Sequence, residues 1–260
     1  MPVSVATYDS LSEAGRAFAE HRGARVYSGG TLVMRAVNEG DVTFDRLIRI
    51  TDRAYGDIAV GSDVRLGGGV TMAQIVAHRD LGFLAPVARV IGGPQVRQVA
   101  TVAGNLFAPA PYGDLAGALV ALGAQAEMVG GSRTPVEELV KGGGSRALVA
   151  AVIFPRPQGE LKFVKVSRVK PKGVALMSIS ASIPRGSGEA RIVFNGMGPH
   201  PMRAVAAERA LSGRAGDRDA IARAASQAAE GLDPSDDGLA TAWYRREVAG
   251  VHLKRLLEAR

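Results

Sequence analysis

The sequence predicts an α+β protein laid out in three successive regions, residues 1–54, 55–158 and 159–260. Three observations point there. Short strand and helix patterns alternate over the first fifty or so residues, a Pro155/Pro157 pair punctuates the chain after a long apolar strand pattern, and the final region runs three strand patterns followed by three helical ones. Grouped strands followed by grouped helices call for an α+β layer rather than a doubly wound sheet.

In the first region, residues 4–8 alternate as a strand, and Ser10 with Glu13 three positions on gives a capping-box signature for a helix reaching His21. Residues 24–27 form a second strand, a helix follows Ser28-Gly29-Gly30-Thr31 through Val37, and residues 46–50 alternate again. The result is a small βαβ unit with a Gly-Gly turn at its crossover. The second region opens with short strands at 58–60 and 64–66, breaks at Gly67-Gly68-Gly69, and starts a helix at Thr71. A helical stretch at 84–91 precedes a segment rich in small residues and proline. A further helix spans 113–122 and starts near Asp114, and strands follow at 124–129 and 146–154. The third region carries strand patterns at 162–168, 174–183 and 191–197, then helices at 202–211, 217–230 and 238–259. On the last helix Tyr244, Val248, Val251 and Leu256 share one face, which should pack on the sheet. No internal repeat is visible.

Composition narrows the function. At 260 residues with 47% apolar content the chain can bury a substantial core. Its apolar runs, such as residues 147–154, fall far short of the roughly 20 residues needed to cross a bilayer. The opening MPVSVATYDS has neither a basic nor an apolar export segment, so a cytoplasmic location is expected. With no cysteine, the chain has no thiolate chemistry and no cysteine-ligated iron-sulfur cluster of its own. His21, His78, His200 and His252 are scattered without metal-ligand spacing, so no metal site is expected. The net charge of +7 arises wholly after residue 160, where 17 basic side chains face 10 acidic ones; residues 1–160 carry 15 of each. Such a basic segment suits an acidic partner subunit as well as nucleic acid, and aromatics at 5% without an RNP-like or zinc-finger signature argue against the latter.

The informative stretch is residues 91–124. Its small-residue turn Thr101-Val102-Ala103-Gly104-Asn105, its prolines Pro109 and Pro111 and its isolated carboxylate Asp114 suit a nucleotide-cofactor cradle. Backbone N–H groups would meet an anion there, and Asp114 would accept hydrogen bonds from a sugar. Ser28-Gly29-Gly30-Thr31, between a strand and a helix, is a second turn able to bring bare N–H groups to the same diphosphate. Hydrogen bonds to a charged group are worth about 1.5–3 kcal/mol each, so several converging donors can hold a diphosphate without a lysine. Neither turn is GxGxxG, which disfavours a nicotinamide Rossmann domain. Asn105 reads equally as a structural turn residue and Asp114 as a plain helix cap. No catalytic set emerges: Glu137-Glu138 and Asp236-Asp237 suit helix starts, and no GxSxG elbow is present. Any chemistry belongs to a cofactor.

Ordered motifs along nearly the whole chain carry a resemblance. They are VYSGGTLV, IGGPQVRQVATVAGN, PYGDLAGALVALGA, FVKVSR, GMGPHPMRAVAAERALSG and WYRREVAGVHLKRLLEAR. With these the chain resembles the FAD-binding medium subunit of molybdenum hydroxylases, the xanthine dehydrogenase and carbon monoxide dehydrogenase family. The resemblance implies a two-subdomain FAD-binding domain of the vanillyl-alcohol-oxidase (PCMH) type at 1–54 and 55–158. A C-terminal α+β domain, a three-stranded sheet plus three helices, would follow at 159–260. It implies FAD contacts from Val26, Tyr27, Ser28, Gly29, Gly30, Thr31, Leu32 and Val33 and from Thr101, Val102, Ala103, Gly104 and Asn105. Asp114 matches the position that binds the cofactor's sugar portion, Ile91 a flavin-site apolar position, Lys165 a lysine near the cofactor and Val149 an apolar contact. Where the family commonly has a glycine, this chain has Ala103, which predicts φ < 0 or a looser approach to FAD there.

The resemblance further implies an electron-transfer subunit between iron-sulfur clusters on a small partner subunit and a terminal acceptor, NAD or oxygen. A large subunit would carry the molybdenum-pterin cofactor, in a dimer of heterotrimers without nucleic acid or membrane span. Two other readings stay open: a free-standing FAD oxidoreductase, and a basic nucleic-acid-binding or assembly protein without cofactor.

Overall fold

In the computed structural model the described residues are 3–142, 148–169, 173–186, 188–211 and 213–259. The first sheet is parallel, with β1 (Ser4–Tyr8) and β2 (Ala24–Tyr27) flanking β3 (Arg46–Ile50). Helix α1 (Leu11–Glu20) joins β1 to β2, and α2 (Val33–Asn38) precedes β3. Ser10 caps α1 by accepting the Glu13 N–H at 3.5 Å, and Asp52 Oδ2 adds a second cap by accepting the N–H of the next residue, Leu11, at 2.9 Å. Ala14, Ala24, Ile48 and Leu148 form the small core beneath this sheet.

The second sheet has the order β4-β5-β8-β6-β7 and is antiparallel throughout, built from β4 (Ile58–Val60), β5 (Asp63–Gly67), β6 (Gln125–Met128), β7 (Arg133–Pro135) and β8 (Val149–Pro155). Residues 146 and 147 of the predicted final strand lie outside the described residues. Between β5 and β6 come α3 (Met72–Ala77), α4 (Ala85–Arg89), α5 (Pro94–Val99), α6 (Val102–Leu106) and α7 (Asp114–Ala121), and α8 (Val136–Lys141) follows β7. Thr71 caps α3 in a complete capping box with Gln74. Leu66, Ile75, Leu84, Leu115, Val152 and Phe154 are fully or almost fully buried here, each worth about 1.5–3 kcal/mol of burial.

The third sheet explains why α7 is apolar on every side. It is antiparallel, ordered β12-β11-β10-β9, from β9 (Glu160–Ser167), β10 (Ala175–Ile183), β11 (Arg191–Asn195) and β12 (Met202–Arg203). Every residue of α7 is buried because β10 and β11 pack on the side that α4, α6 and α8 leave free. Alternation along β10 sends Met177, Ile179 and Ala181 to one face, where α9 (Val205–Leu211), α10 (Arg218–Ser226) and α11 (Ala242–Glu258) close the core. Ser178 and Ser180 turn to the other face, toward α7: Ser178 Oγ accepts from Asn195, which lies against Gly117.

The third region departs from the sequence reading in two places. Its sheet has four strands rather than three, because Met202 and Arg203 pair with Phe194 and Val193 and delay the predicted helix to Val205. The buried face of α11 is set by Arg245, Ala249, Leu253, Leu256 and Leu257, leaving Tyr244 and Val251 exposed. Arg245 belongs to that face because its guanidinium donates to the carbonyls of Leu176, Ser235 and Ala240 and to the Asp237 carboxylate, which repays its burial. No helix among the described residues is long and apolar enough to cross a membrane.

Candidate functional site

The two small-residue turns predicted to share a ligand do meet. Gly29 lies flat on the backbone of Val99 and Ala100, where any Cβ would collide with the Val99 carbonyl oxygen. Gly30 has φ +73, in the region that favours glycine. The hydroxyls of Ser28 and Thr101, 73 residues apart, are 2.8 Å from each other. Beside this junction a cleft of about 540 Å³ opens between Tyr27, Gly29, Gly30, Thr31, Met34 and Val99. The N–H groups of Gly29, Gly30, Thr31 and Leu32 have no acceptor among the described residues. Four adjacent free donors beside a cleft suit an anionic ligand.

The second turn departs from its predicted role. Thr101 caps α6, and the N–H groups behind it are engaged within the protein: Val102 on Val70 O and Ala103 on Gly68 O at 2.9 Å, Gly104 on Thr101 Oγ1 at 3.2 Å, Asn105 on Thr101 O at 2.9 Å. The expected second set of bare donors is therefore absent, and this segment offers a hydroxyl and a surface instead. Ala103 sits inside the helix and is buried, so alanine causes no strain. The Asn105 side chain accepts the Leu115 N–H at 2.9 Å and so ties α6 to the start of α7.

Asp114 is not the cap of α7; that position belongs to Gly113, at φ +91. The carboxylate is 3% exposed. Its Oδ2 accepts from Lys165 Nζ at 2.9 Å, and its Oδ1 is buried without a partner among the described residues. Lys165 reaches it because Lys165 stands opposite Ser178 in the sheet register, on the face that turns toward α7. The same ammonium donates to Val90 O at 3.2 Å, which fixes the end of α4 next to buried Ile91. Val149 lies in the core of the second sheet, 1% exposed, while Val26 and Val33 are half-buried. Glu137 and Glu138 occupy the first turn of α8 and pair with Lys141. No cluster of metal-ligating side chains occurs among the described residues.

One residue of this site escaped the sequence reading. Tyr55 is 5% exposed and its hydroxyl has no hydrogen-bond partner among the described residues. Burial pushes the phenol above its ordinary range; the neighbouring Ser28 hydroxyl acts in the opposite direction but does not reach hydrogen-bond geometry. The signal that could have found it is Gly67-Gly68-Gly69, where Cβ atoms at Gly68 and Gly69 would stand 2.5 and 2.6 Å from the Tyr55 ring.

A nucleotide cofactor fits this arrangement on two counts: a cleft lined by glycine backbone that a Cβ would disrupt, and a buried carboxylate oxygen left free to accept. Residues 2–157 match the family model described as the FAD binding domain in molybdopterin dehydrogenase, and residues 178–259 match that of the CO dehydrogenase flavoprotein C-terminal domain. The carbon monoxide dehydrogenase medium chain of Afipia carboxidovorans is 26% identical over 255 residues, covering 90% of this chain and 88% of that one. The glyceraldehyde dehydrogenase medium chain of Sulfolobus acidocaldarius is 28% identical over 185 residues, 63% of this chain and 62% of that one. Among solved structures, a carbon monoxide dehydrogenase chain from Hydrogenophaga pseudoflava superposes with a TM-score of 0.90 at 23% identity, over 100% of this chain and 97% of that one.

Proposed function

The chain belongs to the family of FAD binding domains in molybdopterin dehydrogenase, and from that premise we propose that it carries electrons from iron-sulfur clusters on a small partner subunit to a terminal acceptor, NAD or oxygen. A large subunit would hold the molybdenum-pterin cofactor and oxidise the substrate, with the complex a dimer of heterotrimers in the cytoplasm. The boundaries 1–54, 55–158 and 159–260 mark the two FAD-binding subdomains and the C-terminal domain. FAD, when bound, supplies the ability to exchange electrons singly or in pairs.

The residues of this chain bind and orient. The free N–H groups of Gly29, Gly30, Thr31 and Leu32 bind the diphosphate, with the Ser28 and Thr101 hydroxyls beside them. Asp114 Oδ1 accepts from a sugar hydroxyl while Lys165 holds the carboxylate in place and balances its charge. Ile91 and Val149 keep water from the flavin side, and Val26, Tyr27 and Val33 frame the first turn. Val102, Ala103, Gly104 and Asn105 shape the opposite wall.

The observation that carries this reading is the Asp114 Oδ1, buried without a partner among the described residues, because such a carboxylate oxygen in a family fold for FAD is an acceptor that a sugar hydroxyl can satisfy. A visible spectrum of the chain purified with its partners tests it. A flavin spectrum with iron and molybdenum co-purifying is expected. A colourless preparation that takes up no FAD and binds nucleic acid with a steep salt dependence would reject it.

A further inference from the structure

Tyr55 lies on the 3-10 turn Arg53–Gly56 that leaves the first sheet. The Gly67-Gly68-Gly69 stretch clasps its ring, and the Gly69 N–H donates to its carbonyl at 2.7 Å, so the side chain has one direction in which to extend. At its tip the hydroxyl is buried, unpartnered and next to Ser28. A phenylalanine would fill the same space without burying a polar atom, so the hydroxyl needs an account.

Donor and acceptor counting supplies one. The hydroxyls of Ser28 and Thr101 together hold two hydrogens and four lone pairs. Their mutual bond uses one of each, and the Gly104 N–H fills a second lone pair. What remains is one hydrogen and two lone pairs, a pair that can present either polarity to the cleft. A hydrogen donated by Tyr55 to Ser28 Oγ fills a third lone pair. One hydrogen and one lone pair then remain: with Thr101 as donor in the mutual bond, both lone pairs of Ser28 are filled, the spare lone pair lies on Thr101, and the Ser28 hydrogen is left to face outward, where an anion is what it meets.

We propose that Tyr55 is a positioning residue whose hydroxyl, by donating to Ser28, sets the Ser28–Thr101 pair as a hydrogen-bond donor toward a diphosphate oxygen of the nucleotide cofactor. The inference rests on the FAD reading above and extends it to a residue that does not itself touch the ligand.

The test is a double-mutant cycle on the full-length chain, stripped of flavin, with FAD affinity measured by fluorescence titration and stability by thermal melting. Tyr55→Phe should weaken FAD about 10-fold, the loss of one hydrogen bond's net worth, while the melting temperature of the cofactor-free chain stays level or rises. Ser28→Ala should give a similar loss, and Tyr55→Phe added to Ser28→Ala should give none beyond it. Wild-type FAD affinity in Tyr55→Phe overturns the inference alone, as do additive losses across the cycle or a fall in melting temperature that tracks the loss of affinity. A wild-type chain that takes up no FAD, alone or with its partners, overturns the FAD reading and this inference together.

Discussion

Between Tyr27 and Val33 the N–H groups of Gly29, Gly30, Thr31 and Leu32 have no acceptors among the described residues, whereas from Val102 to Asn105 each N–H is bonded inside the protein. Both segments are short, rich in small residues and followed by apolar sequence, and they touch through Ser28 and Thr101. The difference comes from what lies behind them. The second segment backs onto the carbonyls of Gly68 and Val70, which take the Ala103 and Val102 donors, and Thr101 caps its own helix. The first backs onto Val99, and its Gly29, Gly30 and Thr31 line the cleft. Similar composition thus leaves donors open on one side and bonded inside the protein on the other. Beyond the bonded segment stands the buried carboxylate of Asp114.

That division of labour breaks most forcefully at Asp114. Asp114→Ala strips Lys165 of its carboxylate while leaving the ammonium buried, a loss typically worth about 3–5 kcal/mol. A melting temperature lowered by roughly 10 °C is expected, with FAD lost on dialysis. Adding Lys165→Met removes the stranded charge and should restore most of the melting temperature without restoring FAD. Full FAD retention in that double variant would make Asp114 merely the partner of Lys165 and leave FAD binding to the donors of the first segment.

The next largest effect belongs to Gly29. An alanine there meets the Val99 carbonyl, a backbone atom that cannot swing aside, so the two segments must separate. Overpacking of this kind costs about 1–3 kcal/mol, and the Ser28–Thr101 contact is its first casualty. Gly29→Ala should weaken FAD by about 100-fold on isothermal titration. Affinity within a few-fold of wild type would show that the donors of the first segment do not depend on its seat against Val99.

How much of this was legible follows from where the information sits. The strands at Ser4–Tyr8, Ala24–Tyr27 and Arg46–Ile50, and the caps Ser10 and Thr71, are local patterns of alternation and capping, and the chain spells them directly. The α+β class and the family motifs were readable for the same reason. The strand Met202–Arg203 is too short to carry a period and exists only because β11 has a free edge. Arg245 reads as a surface charge until the Leu176, Ser235 and Ala240 carbonyls are seen around it. At the site, the turn of residues 101–105 is legible but the fate of its donors only in part: Thr101 takes the Gly104 and Asn105 N–H groups locally, whereas the acceptors of Val102 and Ala103 lie some thirty residues earlier in the chain. Asp114 and Lys165 could be matched to a family position separately. Their bond, across 51 residues, is a product of sheet register that local sequence does not express.

The smallest effect is the most discriminating for the comparison. Gly104 lies within α6 with ordinary helical φ, and a Cβ there would meet only the Thr101 Oγ1 that caps the same helix, at 3.0 Å. Alanine in a helix interior gains about 0.5–1 kcal/mol over glycine, and slight crowding of the cap offsets part of that gain. Gly104→Ala should therefore leave the melting temperature within about 2 °C of wild type and FAD affinity within about 3-fold. These two glycines stand in similar sequence surroundings, yet Gly29 is required by a backbone collision and Gly104 by nothing within the protein. A loss of FAD affinity on Gly104→Ala as large as that on Gly29→Ala, without a loss of stability, would mean that the ligand approaches the α6 backbone directly. The second segment would then be a cradle in its own right despite having its N–H groups already bonded.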